Sequence, residues 1–147
     1  MRQRKPAYEN LKFYQDICAI RRFIHKVTER FRKNNLRLVE QMRDSARSAK
    51  QNIREGYRKG TVGEFSHSIN ISLGSLEELS GDIEDCKDDG LITNEEFNEF
   101  AQLFQSATYM ASQYIKSLFK MEREGTWKVP FSSYRKKKHP ATLRNLH

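Results

Sequence analysis

The chain has 147 residues, of which 27 are Lys or Arg and 19 are Asp or Glu, giving a net charge of +8 at pH 7. This length suits one domain, and because no apolar run reaches the roughly 18 residues of a membrane span, we expect a soluble, cytoplasmic protein without a membrane partner. The two cysteines, Cys18 and Cys86, are too few and too far apart for a disulfide framework or a paired-cysteine zinc site, and both are interpreted as small core residues.

Two helices are predicted in the first part of the chain. Apolar residues recur every three or four positions over residues 11–31, and a basic turn with two asparagines follows, as expected where a helix ends. A second helix is predicted over residues 36–57, with small and apolar residues at the same spacings and a basic stripe on its outer side. Gly56 and Gly60 weaken the end of this helix and permit a turn.

Two further helices begin at capping-box patterns. Residues 61–64 and 93–96 each place Thr three positions before Glu, so that both side chains satisfy backbone donors of a helix start. We expect the third helix to stop at Gly90 and the fourth to end near Gly125. Its apolar face predicts that the fourth helix is the richest in aromatic residues.

Two glycines interrupt the apolar pattern of the third helix. Gly74 and Gly81 each cost about 1 kcal/mol relative to alanine in a helix interior. Since such a cost needs a compensating contact, we expect both glycines to mark close approaches between helices.

Four long helices with short connections predict an all-α protein, folded as an antiparallel up-down-up-down four-helix bundle over residues 1–124. Residues 125–147 contain two prolines and no acidic residue, which indicates a basic and mostly irregular C-terminal tail. Trp127, Val129 and Phe131 in this tail can fold back onto the bundle.

Charge is distributed unevenly along the chain. Residues 1–60 contain 17 basic and 6 acidic residues, residues 61–124 contain 4 and 13, and residues 125–147 contain 6 and none. The two parts of the bundle therefore attract each other, either within one subunit or between copies. The tail has no acidic complement of its own, which favours contact with nucleic acid phosphates or another acidic surface.

The sequence contains no recognisable catalytic or metal-binding motif. Its four histidines lack metal-ligand spacing, and no serine or cysteine lies in a nucleophile motif. Residues 85–96 resemble an EF-hand calcium loop, but Lys87 replaces an oxygen ligand at the third position, and a glycine stop before a helix cap explains the same residues. We expect no enzyme activity, catalytic residue, metal or cofactor.

One polar cluster spans the second and third helices. Asn52 with Glu55, and Ser75 with Glu78, are polar pairs three residues apart on neighbouring helices. We predict that the four residues form a structural polar layer, hydrogen-bonded so as to fix the register of the helices. A binding role is the alternative.

The central helices carry a family resemblance. Its motifs lie in residues 41–57, which include NIREGY, and in residues 64–79, which include INISLGSLEEL, with YENLKFYQ at residues 8–15. Over about residues 7–121 the chain resembles the four-helix bundle protein family first noticed in intervening sequences of bacterial large-subunit ribosomal RNA. The resemblance implies a ring-like homo-oligomer, a homopentamer, without enzymatic activity.

A related group joins a reverse transcriptase to its template RNA, namely the accessory variability proteins of diversity-generating retroelements. The leading hypothesis is a non-enzymatic, oligomeric accessory protein that binds RNA or DNA and assists a reverse transcriptase. The alternative is a protein-interaction scaffold of the intervening-sequence type with no direct nucleic-acid role. The predicted phosphate contacts are Arg43, Arg47, Lys50, Arg54, Arg58 and Lys59 on the second helix, and Arg135, Lys136, Lys137 and Lys138 on the tail.

Overall fold

The computed structural model describes residues 6–128, and within this range every regular element is helical. Short 3-10 turns at Ala7–Asn10 and Arg32–Asn34 precede the first and second α-helices. The prediction of an all-α, four-helix fold is confirmed, and each predicted boundary lies within two residues of the observed one. The helices are α1 (Lys12–Glu29), α2 (Leu36–Arg58), α3 (Val62–Asp88) and α4 (Asn94–Glu124).

Threonine side chains cap the starts of α3 and α4, and the predicted capping box is complete at α4. The Thr61 hydroxyl accepts the backbone N–H of Glu64 at 3.1 Å. At the start of α4 the capping box is complete, because the Thr93 hydroxyl accepts the N–H of Glu96 at 3.1 Å and the Glu96 carboxylate accepts the N–H of Thr93 at 3.0 Å. The Thr61 cap and the Thr93–Glu96 box satisfy backbone donors that a helix start leaves without partners.

The four helices are arranged so that each one has two neighbours. Consecutive helices pack together and α4 packs against α1, which places α2 diagonally opposite α4. A residue later in α3 contacts a residue earlier in α2. The Ser72 hydroxyl donates to the carbonyl oxygen of Ala49 at 2.7 Å, and further along α3 the Cys86 sulfur lies 3.8 Å from that of Met42. These neighbouring helices are therefore antiparallel.

The glycine contacts differ from the prediction. Gly56 is buried, and a Cβ placed on it would lie 2.3 Å from the Cβ of Ser68, so this glycine is where α2 and α3 approach most closely among the glycines described. Gly74 and Gly81 are exposed, and no described atom outside their own helix backbone and chain neighbours lies within 4 Å of a Cβ placed on either one. The prediction that they mark close contacts within the bundle is wrong, because both lie on the side of α3 that faces away from the core.

One end of the bundle, called the aromatic end, is held by a chain of ring contacts. Neighbouring ring centroids are 5.0 to 6.5 Å apart, within the range of favourable aromatic pairs. The Trp127 indole N–H donates to the carbonyl oxygen of Gly60 at 3.1 Å, so this residue folds back as predicted. Val129 and Phe131 lie outside the described residues. The rings belong to Tyr8, Tyr14, Tyr57, Phe65, Tyr114 and Trp127.

The opposite end, called the loop end, contains the turns over residues 30–35 and 89–93. There the Arg30 guanidinium donates to both carboxylate oxygens of Glu96, at 2.6 and 2.7 Å, and to the carbonyl oxygen of Leu91 at 3.3 Å. The bidentate pair joins the end of α1 to the capping box of α4.

Candidate nucleic-acid interface

A basic stripe follows one side of α2. Its members from Arg43 to Arg58 recur at spacings of three and four residues, which places them along one helix face, and Lys59 follows the last residue of the helix. The structure exposes Arg47, Arg54, Arg58 and Lys59 and leaves Arg43 and Lys50 half-buried. The other predicted phosphate contacts, Arg135, Lys136, Lys137 and Lys138, lie outside the described residues.

Arg43 is engaged within the bundle. Its guanidinium donates to the Thr28 hydroxyl at 3.1 Å, to the carbonyl oxygen of His25 at 3.2 Å and to the Glu29 carboxylate at 2.8 Å. The hydrogen bond from Arg43 lowers the pKa of the Glu29 carboxyl group. With its side chain 23% exposed, Arg43 connects α2 to α1 and presents only part of its guanidinium to a ligand.

A groove lies between α1 and α2 beside Arg43. Its volume is about 160 Å³, and Asp44 is the one acidic residue in its lining. Asp44 lies 3.5 Å from the Arg47 guanidinium, but both side chains are exposed, so this pair leaves donors of Arg47 accessible. The groove is lined by Arg21, His25, Arg43, Asp44, Ala46 and Arg47.

Two residues of this groove were not among the predicted contacts. Arg21 and His25 are exposed residues of α1, four positions apart on its polar side. Their spacing is a usable signal, since residues i and i+4 share a helix face. With Arg43 and Arg47 they place several N–H donors around one small concavity, an arrangement suited to phosphate oxygens.

The charge of the bundle is separated between two opposite faces. α1 and α2 belong to the basic first part of the chain, and α3 and α4 belong to the acidic part that follows. The Arg30 guanidinium and the Glu96 carboxylate form an ion pair that joins these two parts at the loop end. Exposed cations of α2, such as Arg54 and Arg58, are placed to interact with external anions, and the acidic face disfavours them.

The polar layer differs from the predicted one in its members. The Asn52 side-chain amide donates to the carbonyl oxygen of Ser48 at 2.8 Å and to its hydroxyl at 3.2 Å. The Ser48 hydroxyl is 3.2 Å from that of Ser75, so Ser48 joins two of the predicted residues. Glu55 and Glu78 are exposed, because their positions point away from the contact between α2 and α3.

The remaining chemistry of residues 6–128 is limited. No group of three His, Cys, Asp or Glu side chains in this range is placed to hold a metal ion, and Lys87 of the calcium-like segment lies over the Phe97 ring, 4.3 Å from its centroid. Burial raises the pKa of the Cys86 thiol to about 11, which keeps it protonated near neutral pH, and Cys18 is half-buried. Nor is any helix of this range long and apolar enough to cross a lipid bilayer.

Comparison with known proteins assigns a family to the helical part of the chain. A family model described as 23S rRNA-intervening sequence protein matches residues 9–113, which include α1, α2, α3 and most of α4. Comparison with curated proteins gives no match. The matched segment contains the groove and the basic stripe of α2, and it ends before Trp127.

Proposed function

The chain belongs to the 23S rRNA-intervening sequence protein family, and from this premise we propose that it is a non-enzymatic accessory protein that binds nucleic acid through the basic face of α1 and α2. The ligand is the phosphate backbone of RNA or DNA, contacted with little sequence preference. Lysine and arginine contacts to phosphate supply this kind of affinity without reading base edges.

The observation that carries the proposal is the groove between α1 and α2, together with the exposed cations that continue from it along α2. Arg21, His25 and Arg47 surround the groove, and Arg54 and Arg58 extend the exposed cations toward the aromatic end. Because α3 and α4 carry the opposite charge, a polyanion is favoured on one side of the bundle only.

Assembly into a homopentamer is part of the proposal. Five copies would present five basic faces, and linked weak contacts raise the overall affinity without any new interaction. In this form the protein could hold a template RNA near a reverse transcriptase. Light scattering on the purified protein measures the subunit number, and a monomer at working concentrations contradicts this part of the proposal.

The central test is a salt series of binding to a mixed-sequence RNA hairpin, repeated with a DNA duplex. Replacing Arg47, Arg54 and Arg58 together by Gln should weaken binding at least tenfold. The slope of log affinity against log salt should become less steep by about 2 to 3, since each of the three lost phosphate contacts removes about 0.7 to 0.9.

A matched control removes the same charge from the diagonal helix. Lys116, Lys120 and Arg123 of α4 are exposed, and their joint replacement by Gln should leave the salt slope of the wild type nearly unchanged. If the two triple variants lose equal affinity, binding depends on net charge alone and the basic face of α2 is not the interface.

A scaffold function is the second candidate, and exposed apolar residues on α4 favour it. Tyr109 is 64% exposed, and Met110 and Phe119 are also exposed, on a helix face without a covering element in residues 6–128. Such residues are typical of protein contacts. Association with a protein partner that survives nuclease treatment and is lost in Tyr109→Ala would support the scaffold in place of the nucleic-acid function.

A further inference from the structure

The basic face of α1 and α2 includes a second concavity at the loop end, called the loop-end cleft. Its volume is about 290 Å³, and it is lined by Glu29, Arg32, Lys33 and Leu36. These residues belong to the end of α1, to the 3-10 turn Arg32–Asn34 and to the start of α2. The cleft therefore lies where the chain turns from one helix of the basic face to the next.

Leu36 supplies the apolar part of this cleft. It is 52% exposed, whereas Val39, three residues later in α2, is fully buried. Because seven residues are close to two helical turns, Leu36 lies on the same face of α2 as Arg43, about 10 Å from it along the helix axis. Single exposed leucines are common on protein surfaces, so the role of Leu36 depends on the charges around it.

The charges around Leu36 are mainly positive. Arg32 and Lys33 are exposed. The acidic residue of the cleft, Glu29, is engaged by two guanidinium groups, since one carboxylate oxygen lies 2.8 Å from Arg43 and the other 3.9 Å from Arg32. These two positive charges offset the negative one. Arg43 also lines the groove between α1 and α2, so Glu29 connects that groove to the loop-end cleft.

An apolar side chain beside cations suits an unpaired nucleotide. The face of an unstacked base is shielded from water when it packs against an apolar side chain or a guanidinium plane, and arginine and lysine attract the adjoining phosphates. In a regular duplex the faces of the bases are covered by their neighbours, and only the base edges are accessible in the grooves. The composition of the cleft therefore favours a base that has left the stack.

We propose that the loop-end cleft holds an unpaired nucleotide of the bound nucleic acid, with its base against Leu36 and its phosphates on Arg32 and Lys33. This nucleotide site rests on the proposed function and adds a preference to it. The basic face binds any phosphate backbone, and the cleft favours ends, bulges and loops. The distance of about 10 Å from Leu36 to Arg43 equals about three stacked nucleotides, so one strand can contact both.

The test uses a mixed-sequence RNA hairpin with a short unpaired tail, built either of ordinary nucleotides or of abasic units. Both tails have the same phosphates, so the ratio of the two affinities measures the contribution of the bases alone. In fluorescence anisotropy at about 0.1 M salt, the wild type should bind the tail with bases about three- to tenfold more tightly. Leu36→Ser should remove this preference and leave the salt dependence unchanged, since it removes no phosphate contact.

Ile71→Ser is the matched control for the loss of an exposed apolar side chain. Ile71 is 43% exposed on α3, which belongs to the acidic part of the chain, so the variant should keep the full preference. Leu36→Phe offers a ring to the base and should enlarge the preference. It decides the question if circular dichroism shows that Leu36→Ser is not folded.

The phosphate contacts of the cleft are tested by a second kind of variant. Joint replacement of Arg32 and Lys33 by Gln should weaken the binding of both tails. The slope of log affinity against log salt should become less steep by about 1 to 2, since each of the two lost contacts removes about 0.7 to 0.9. An unchanged slope would overturn the assignment of these two cations to phosphates.

The outcomes distinguish this nucleotide site from the proposed function. Wild-type protein that binds neither hairpin removes the proposed function and the nucleotide site with it. Wild-type protein that binds both tails equally, or that keeps its preference in folded Leu36→Ser, removes the nucleotide site alone. An equal loss of preference in Ile71→Ser also overturns it, because the effect would then not be specific to the cleft.

Discussion

The two ends of the bundle are held by different physical interactions. At the aromatic end, edge-on and tilted rings join α1, α2, α3 and α4 to the segments on either side of them. At the loop end, the Arg30 guanidinium and the Glu96 carboxylate join α1 to α4. Ring packing depends little on pH or salt, whereas an exposed ion pair depends on both. One end therefore contributes constant stability, and the other makes stability respond to solution conditions.

The largest effect should come from opening the aromatic end. Phe65 is fully buried and contacts the rings of Tyr57, Tyr114 and Trp127, so Phe65→Ala removes packing on three sides and leaves a cavity. We expect a loss of about 3 to 5 kcal/mol in the free energy of unfolding, measured by urea denaturation at neutral pH.

Phe119→Ala is the matched control for this change. Its side chain is exposed on α4, so the same substitution should cost less than about 0.5 kcal/mol. A similar cost at both positions would show that the aromatic contacts do not determine stability. Trp127 is the only tryptophan of the chain, so its fluorescence reports separately on whether the aromatic end stays closed.

Gly56 gives the next largest effect, near the same end. Gly56→Ala gains helix propensity of about 1 kcal/mol but forces a Cβ into Ser68, whose own Cβ would lie 2.3 Å away. Because both atoms are attached directly to helix backbones, α2 and α3 must separate, and we expect a net loss of about 2 kcal/mol. Thermal unfolding followed by circular dichroism measures it.

Gly74→Ala should have the opposite sign. The position is exposed within α3 and has no described neighbour within 4 Å of a new Cβ. Because alanine has the higher helix propensity and meets no clash, the free energy of unfolding should rise by about 0.5 to 1 kcal/mol. Destabilisation by Gly74→Ala that appears only at high protein concentration would instead indicate that α3 packs there against another copy.

Local signals explain why the helices could be predicted from the sequence. Thr61, Thr93 and Gly125 act within a few residues of themselves, and each lies where its pattern places it. The glycines show the limit of such signals. Gly56 and Gly74 occupy similar helical windows, and only the packing of α2 on α3 shows that the first is a contact and the second is not.

The candidate interface could be predicted in part for the same reason. The α2 stripe follows from spacing within one helix, and its exposed members, such as Arg54 and Arg58, agree with that pattern. The groove depends on which face of α1 meets α2, so Arg21 and His25 were missed. The contacts of Arg43 with Thr28 and Glu29 likewise pair residues on different helices, which spacing along one helix does not reveal.

The effect predicted at the loop end depends on pH. The hydrogen bonds from Arg30, followed by the N–H of Thr93, lower the pKa of Glu96 to about 2. A folded-state pKa below the unfolded value, which is about 4.3, means that the carboxylate stabilises the fold above that value and loses this contribution as pH falls toward 2. Because Arg30 is half exposed, the contribution is about 1 kcal/mol at neutral pH.

Glu96→Gln should therefore lower stability by about 1 kcal/mol at pH 7, and its urea midpoint should approach that of the wild type between pH 4.3 and 2, where the wild type loses the charge. The neighbouring Glu95 is exposed in the same helix turn, so Glu95→Gln controls for the loss of one negative charge near the start of α4 and should cost less than about 0.5 kcal/mol. A gap between wild type and Glu96→Gln that stays constant down to pH 2 would mean that the carboxylate acts through packing, and the loop end would then resemble the aromatic end after all.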